Sequence, residues 1–147
     1  MSINNIFGIA GSAMNAQLVR MNAGASNMAN SSTVAGSPED AYKAKRPVFE
    51  ALLAEQQTNE RSPTVGGVKI SEVALDDTPH DTMFDPGNPN ADENGMVYLS
   101  NVNEVTEMVD MLAAARSYQN NVEVINTARQ LICLLYTSDA ADDLLCV

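Results

Sequence analysis

The sequence has few of the residues that catalytic and metal sites require. Both cysteines, Cys133 and Cys146, lie in the last fifteen residues, and His80 is the one histidine of the chain. A hydrolytic site needs a base, a nucleophile and an orienting group within reach, and a zinc site needs several nitrogen or sulfur ligands. No G-x-S-x-G motif accompanies His80, which we expect in a solvated loop. The composition therefore predicts no enzyme and no cofactor.

Basic residues are also scarce. The chain has 8 Lys and Arg against 19 Asp and Glu, which gives a net charge of −11. This balance argues against a nucleic-acid partner, because phosphate binding needs clustered cations. We interpret the small group of Lys43, Lys45 and Arg46 as a solvated surface. No run of eighteen apolar residues is present, and the first basic residue, Arg20, comes too late for the start of a cleaved secretory signal.

Apolar positions that alternate in steps of three and four residues predict a long helix from about residue 103 to residue 132. Asn101 is expected to cap this helix, with Glu104 at its third position. At 1.5 Å per residue, about 30 residues form a rod of roughly 45 Å, which this chain is too small to cover alone. Arg129 is the one break in the apolar seam. The seam residues are Met108, Met111, Ala115, Tyr118, Val122, Ile125 and Ile132.

Residues 1–30 repeat the alternation less regularly and predict a partner helix. Three glycines, Gly8, Gly11 and Gly24, each cost about 1 kcal/mol relative to Ala in a helix interior. They also allow a neighbour to approach closely, so we expect a helix that is stable mainly when it is packed. The members of this second seam are Ile3, Phe7, Ala10, Met14, Gln17, Met21, Gly24 and Met28.

The segment between the helices, residues 31–103, predicts a small β-rich insert with mobile loops. Residues 67–75 alternate as a strand does, with a slip between Ile70 and Val73. The polar residues 55–66 are expected to be mobile. Two further strand candidates are Tyr42–Leu53, for which a helix remains an alternative, and Met96–Leu99.

The loop Asn90–Gly95 matches the first six positions of a calcium loop if Asn is allowed at the first. The twelfth position is Asn101 instead of Glu, so the bidentate carboxylate is absent. The flanks predict a turn and a strand instead of two helices. We therefore favour an Asn-Gly turn, and a calcium-binding module remains a weaker alternative.

From Cys133 onward the heptad pattern stops. The segment Cys133–Val147 resembles a translated transposon-type sequencing adapter, and we interpret it as non-native. We expect the native seam to continue beyond Ile132. The predicted fold is α+β, with two long terminal helices packed as an antiparallel, coiled-coil-like pair around the insert. Its parts are an N-terminal helix (1–30), the insert (31–103), a C-terminal helix (104–132) and the adapter-like tail (133–147).

Several motifs resemble the axial proteins of the bacterial flagellum, which form its rod and hook. Residues Asn22–Asn30, with the sequence NAGASNMAN, are similar to the N-terminal signature of that family. The similarity covers residues 1–132, without a close match for Ala51–Pro63. The segments that resemble the proximal-rod members are Asp85–Leu99, Asn101–Val109 and Ala115–Asn121.

The resemblance implies a structural subunit of the proximal rod in the flagellar basal body, which polymerises through its terminal helices and transmits torque for motility. It implies export into the periplasmic space by the flagellar type III apparatus, without a cleaved signal peptide. The implied partners are further copies of the chain, other rod proteins, that export apparatus, and the junction of the inner-membrane ring with the export gate; no small-molecule substrate is implied. Another short axial subunit remains an alternative.

Stripes of Met and small residues on both helices favour contacts between chains. Contacts of this kind that do not close on themselves produce helical filaments. The residues expected at the assembly interface are Ile3, Phe7, Ala10, Met14, Met21, Asn27, Met28, Asn30, Met108, Met111, Leu112, Ala115, Tyr118, Val122, Ile125 and Ile132.

Overall fold

Along the chain, five short strands lie between two long helices in the computed structural model, which describes residues 3–52 and 66–137. The helices are α1 (Ile3–Ala29) and α2 (Glu104–Thr137). The strands are β1 (Val34–Ala35), β2 (Lys45–Ala51), β3 (Val68–Leu75), β4 (Thr82–Phe84) and β5 (Met96–Leu99). The α+β prediction is therefore confirmed. Most of the predicted mobile loop at 55–66 and of the adapter-like tail lies outside the described residues.

Helices α1 and α2 contact each other along much of their length. Ser31, just after α1, donates a hydrogen bond of 2.6 Å to Glu104 at the start of α2. Ile6, near the other end of α1, lines a shallow groove with Val124 and Leu131 in the second half of α2. Residues nearer the start of α1 therefore contact residues further along α2. Neither helix has a stretch long and apolar enough to cross a membrane within the part of the chain that is described.

The interior of the described chain is built from small residues. Its buried apolar side chains are seven alanines and Val97. Five of the alanines lie on the two helices, and their small side chains allow the helices to approach closely. These five are Ala10, Ala16, Ala23, Ala114 and Ala128.

The predicted seam of α2 is correct at every second position. Four of its residues are half-buried on the inner side of the helix: Met111, Tyr118, Ile125 and Ile132. At the alternate positions the prediction is off by one residue, because Met108, Val122 and Arg129 are exposed. Ala115 is half-buried, but its neighbour Ala114 is the buried one. The inner positions that alternate with the correct four are Glu107, Ala114, Asn121 and Ala128.

The predicted seam of α1 is confirmed at its described side chains. Ala10 and Gly24 are buried. A Cβ on Gly24 would lie 2.8 Å from Met111 Cγ, so this glycine does allow close approach of α2. The same expectation is wrong for Gly11, where a Cβ would meet nothing within 4 Å. The half-buried members of the seam are Phe7, Met14, Gln17, Met21 and Met28, and the side chain of Ile3 is not described.

The strands form two small antiparallel sheets. One has the order β1-β5-β4, and the other pairs β2 with β3. The predicted strands around 42–53, 67–75 and 96–99 are confirmed as β2, β3 and β5, and the helical alternative for the first is wrong. The slip in the pattern of β3 corresponds to a bulge, because Val48 pairs with Glu72 and Phe49 with Ile70, which leaves Ser71 without a partner across the ladder. The very short strands β1 and β4 were not predicted.

The N-terminal cap of α2 is Asn103 and not Asn101. The side-chain oxygen of Asn103 accepts a hydrogen bond of 3.1 Å from the backbone N–H of Thr106, at the third helical position. Asn101 instead forms hydrogen bonds within the insert. Its Oδ1 accepts a bond of 2.7 Å from the N–H of Ala44, and its Nδ2 donates to the carbonyl of Asp76 at 2.9 Å. The predicted cap is therefore wrong because Asn101 joins two parts of the insert.

Candidate assembly interface

Asn27, in the last turn of α1, is fully buried and uses its whole hydrogen-bonding capacity. Its Nδ2 donates to the carbonyl of Lys45 at 3.0 Å and to Glu107 Oε2 at 3.1 Å. Its Oδ1 accepts from the N–H of Lys45 at 2.8 Å and from the hydroxyl of Tyr42 at 3.1 Å. The side chain therefore bonds β2, α2 and the segment before β2, and no buried polar atom of the amide is left unpaired.

Glu107, in the first turns of α2, is 2 % exposed. A buried carboxylate needs a cation and hydrogen bonds to offset its desolvation. Arg46 of β2 supplies the cation, with Nη1 2.6 Å from Glu107 Oε1, while Asn27 bonds the second oxygen. We call the three residues Asn27, Arg46 and Glu107 the junction. It fixes the end of α1, the start of β2 and the start of α2 against one another.

Asp76, directly after β3, extends the junction towards the surface. Arg46 Nε lies 3.5 Å from its Oδ2. The hydroxyl of Thr78 donates to Asp76 Oδ1, and the backbone N–H of Thr78 bonds the same oxygen at 3.1 Å. These bonds from Thr78, followed by the nearby Arg46, hold the pKa of Asp76 below its ordinary value. Asp76 is therefore anionic at neutral pH and contributes a second carboxylate to Arg46.

The interpretation of Lys43, Lys45 and Arg46 as a solvated surface is wrong for Lys45 and Arg46, whereas the ion pair of Lys43 lies at the surface. Lys43 forms an ion pair of 2.9 Å with Asp77, and Lys45 Nζ donates to Ser26 Oγ at 3.1 Å. Arg46 belongs to the junction. Lys45 and Arg46 hold the insert on the helices, because their partners Ser26 and Glu107 lie on α1 and α2. Lys43 joins two parts of the insert.

The expected solvated position of His80 is also wrong. The ring is half-buried, and its Nδ1 lies 2.9 Å from the carbonyl oxygen of Leu99. Since a carbonyl only accepts hydrogen bonds, Nδ1 carries the proton in this arrangement. His80 thus fastens the segment before β4 to the end of β5.

The loop Asn90–Gly95 is a turn between β4 and β5. The N–H of Gly95 donates to the carbonyl of Asp92 at 2.8 Å, and Gly95 has φ of +74°, which favours glycine. Among the residues that the structure describes, no group of three or more His, Cys, Asp or Glu is placed to hold a metal ion. The arrangement does not favour the calcium-binding alternative.

The first two turns of α2 expose a continuous apolar surface. Its members recur at intervals of three and four residues and therefore lie on one face of the helix. They are between 55 % and 73 % exposed. We call this surface the α2 outer face; it consists of Val105, Met108, Val109 and Leu112. Exposed apolar patches of this kind mark sites of contact with other proteins.

Apart from Ile3, whose side chain is not described, the residues predicted at the assembly interface divide into three groups. Met108, Leu112 and Val122 are exposed on α2 and accessible to a neighbour. Asn27 and Ala10 are buried within the chain itself. Of the rest, Asn30 is half-buried and donates a bond of 2.7 Å to the carbonyl of Ser26. The other half-buried members are Phe7, Met14, Met21, Met28, Met111, Ala115, Tyr118, Ile125 and Ile132.

Two known families match the paired helices. The family described as "Flagella basal body rod protein" matches residues 7–36, which include most of α1. The family described as "Flagellar basal body rod FlgEFG protein C-terminal" matches residues 93–132, which include β5 and most of α2. These matches define the class: the chain is similar to flagellar rod proteins at both of its long helices.

Relatives over most of the chain define the family more closely. The flagellar basal-body rod protein FlgC of Salmonella typhimurium (strain LT2) is 44 % identical over 132 residues, and that of Yersinia enterocolitica is 46 % identical over the same length. FlgC of Buchnera aphidicola subsp. Acyrthosiphon pisum is 46 % identical over 134 residues. Each alignment covers 90 % of this chain and 94 % of the relative. The chain therefore belongs to the FlgC family and is a structural subunit of the flagellar basal-body rod, which confirms the resemblance seen in the sequence.

Proposed function

We propose that this chain polymerises through its two terminal helices into the proximal part of the rod and transmits torque there. The helices act as an antiparallel, coiled-coil-like pair, which is supported by the order of the contacts from Ser31–Glu104 to Ile6–Val124. Its partners are further copies of the chain and other rod proteins. The type III export apparatus delivers it into the periplasmic space without a cleaved signal peptide, and the rod begins at the junction of the inner-membrane ring with the export gate.

The observation that carries this proposal is the placement of large and small apolar residues. The helix pair buries alanines, whereas the α2 outer face leaves Val105, Met108, Val109 and Leu112 in solvent. Burying one such side chain fully stabilises a protein by roughly 1.5–3 kcal/mol. Most of this free energy is not realised in the single chain, so it is available for binding to a neighbour.

A surface on one side of an elongated subunit suits a filament. Contacts between two different surfaces of identical subunits form either closed rings or open helices. The two long helices provide lateral surfaces along their length for such contacts. The polar junction keeps these surfaces in a fixed relation to the insert, because it bonds α1, α2 and β2 to one another.

The experiment places a charge on the α2 outer face. In a flagellated host that lacks its own FlgC and swims when this chain is supplied, we expect Leu112→Asp to abolish swimming and reduce the yield of basal bodies with rods. Gln119→Asp adds the same charge one heptad further at an exposed position but removes no apolar surface, and it should leave swimming intact. Circular dichroism and the unfolding midpoint of both purified variants should match those of the parent. Normal swimming with Leu112→Asp would contradict the proposal.

A further inference from the structure

We propose that a cleft between the helix pair and β2 receives the side chain of Phe84 from a second copy of this chain. The inference rests on the proposed polymerisation and specifies one contact through which copies would join.

The cleft is open to solvent and has a volume of about 350 Å³. Pro47, Phe49 and Met111 form its apolar part. Three cations, Arg20, Lys45 and Arg46, also line it. A cavity lined by both apolar and cationic side chains is suited to an aromatic side chain that is followed by acidic residues.

The cations of the cleft are not equally neutralised. Arg20 pairs with Asp110 at 2.8 Å, and Arg46 pairs with Glu107. Lys45 Nζ contacts Ser26 Oγ and lies 5.9 Å from the centre of the Tyr42 ring, and among the described residues no carboxylate lies within 4 Å of it. Arg46 also pairs with Asp76, so Lys45 is the lining cation that has no carboxylate partner among the described residues, on a chain whose net charge is −11.

Phe84 is the most exposed aromatic side chain in the described part of the chain, at 68 %. It ends β4, where it pairs with Met96 of β5. The next backbone N–H, that of Asp85, bonds the carbonyl of Gly95 at 2.9 Å, and the Phe84 ring lies close over Gly95. The backbone that carries the ring is therefore fixed by the pairing of β4 with β5, which limits the conformational entropy lost when the ring enters a cavity.

The surroundings of Phe84 are acidic. No Lys or Arg occurs between Lys69 and Arg116, whereas Asp81, Asp85, Asp92 and Glu93 lie in the segment around β4 and the following turn. The charges of this segment complement Lys45 in the cleft, and such complementarity selects the partner and fixes its orientation. Because every copy carries both surfaces and they differ, the contact can repeat from copy to copy, and it gives an open helical array when the repeat does not close into a ring.

The test introduces a photo-crosslinking residue in place of the ring. A chain with Phe84→p-benzoylphenylalanine is expressed in the host described above, in a mixture of unlabelled and ¹⁵N-labelled copies, and basal bodies are irradiated and digested. We expect crosslinked peptides that join position 84 of one copy to Pro47, Phe49 or Met111 of another. Links within one copy, links to other segments or other proteins, or the absence of any link would overturn the inference.

Variants of the cleft separate this contact from general assembly. In the photo-crosslinking background, Phe49→Ala and Lys45→Gln should each reduce the yield of the link by about tenfold, which corresponds to about 1.4 kcal/mol. Val48→Ala is the matched control, since Val48 is as exposed as Phe49, 42 % against 40 %, but does not line the cleft. An equal effect of Val48→Ala would refute the proposed occupant. Rods that form without this link would refute the inference alone, whereas a parent chain that forms no rods would refute the proposed function.

Discussion

Replacing Arg46 with methionine leaves Glu107 buried without its cation. The carboxylate would keep the hydrogen bond from Asn27 at 3.1 Å but lose the charge-assisted bond of 2.6 Å. Removal of one partner from a buried ion pair typically costs about 3–5 kcal/mol. The side chain of Arg46 is 40 % exposed, so that water can enter part of the vacated space. We therefore expect Arg46→Met to lower the free energy of unfolding by about 3 kcal/mol, at the lower end of that range.

The double variant tests whether this cost arises from the isolated charge. Glu107→Met alone leaves Arg46 able to turn towards solvent and Asp76, and we expect a loss of about 1 kcal/mol for the missing hydrogen bonds. Replacing both partners by apolar residues is often neutral, because neither charge then remains buried. Arg46→Met with Glu107→Met should therefore cost less than Arg46→Met alone, with a coupling free energy of about 2 kcal/mol.

The assay is urea unfolding followed by far-UV circular dichroism at pH 7, with midpoints and slopes compared between variants. Lys43→Met is the control, since its ion pair with Asp77 is on the surface and the aspartate is 86 % exposed. Such pairs contribute roughly 0–1 kcal/mol. If Arg46→Met cost no more than the control, or if the two single effects simply added in the double variant, the reasoning about the junction would be wrong.

Three further predictions concern stability. Gly11→Ala should raise the thermal unfolding midpoint by the equivalent of about 1 kcal/mol of helix propensity, since its added methyl group meets nothing within 4 Å. Gly24→Ala should lower the midpoint, because its methyl group meets Met111 and overpacking costs about 1–3 kcal/mol. An equal rise of the midpoint for both variants would contradict this reasoning. Asn103→Ala should cost about 1 kcal/mol in urea unfolding through loss of the cap, and an unchanged midpoint would speak against that cap. The pKa of Asp76 is lowered in the folded state, so its contribution to the free energy of unfolding is present above its unfolded pKa of about 3.9 and is lost as pH falls through the folded value. Asp76→Asn should therefore flatten the acid side of the plot of unfolding midpoint against pH. A curve that stays parallel to that of the parent would refute this prediction.

Local patterns predict the elements of this fold well. Helices α1 and α2 follow from periodicity over many residues, and the slip between Ile70 and Val73 marks the bulge at Ser71. The cap of α2 shows where local patterns fail. Asn101 and Asn103 both suit a helix N-terminus, and the choice is made by Ala44 and the carbonyl of Asp76, which engage the Asn101 amide from a distance.

The inner side of α2 could be only half predicted, for a physical reason. An apolar pattern favours the larger residues Met108 and Val122, whereas the buried or half-buried positions beside them are Glu107 and Asn121. Glu107 tolerates burial because Arg46, 61 positions earlier in the chain, reaches it. A single sequence offers no local signal for a pairing over such a separation, and the same holds for the four hydrogen bonds that fill the Asn27 amide.

The residues that stabilise the single chain differ from those that are exposed for the proposed assembly. Alanines at the contact of α1 and α2 contribute little each, since burial of one CH₂ is worth about 0.8 kcal/mol, but they let the helices come close. The junction then sets how the helices and β2 are placed, because a different placement would leave the Glu107 carboxylate buried without its cation, Arg46. The larger apolar residues, such as Leu112, lie outside, where the proposed assembly would bury them against neighbours. Substitutions in the junction should therefore reduce both unfolding free energy and rod formation, whereas substitutions on the α2 outer face should reduce rod formation alone.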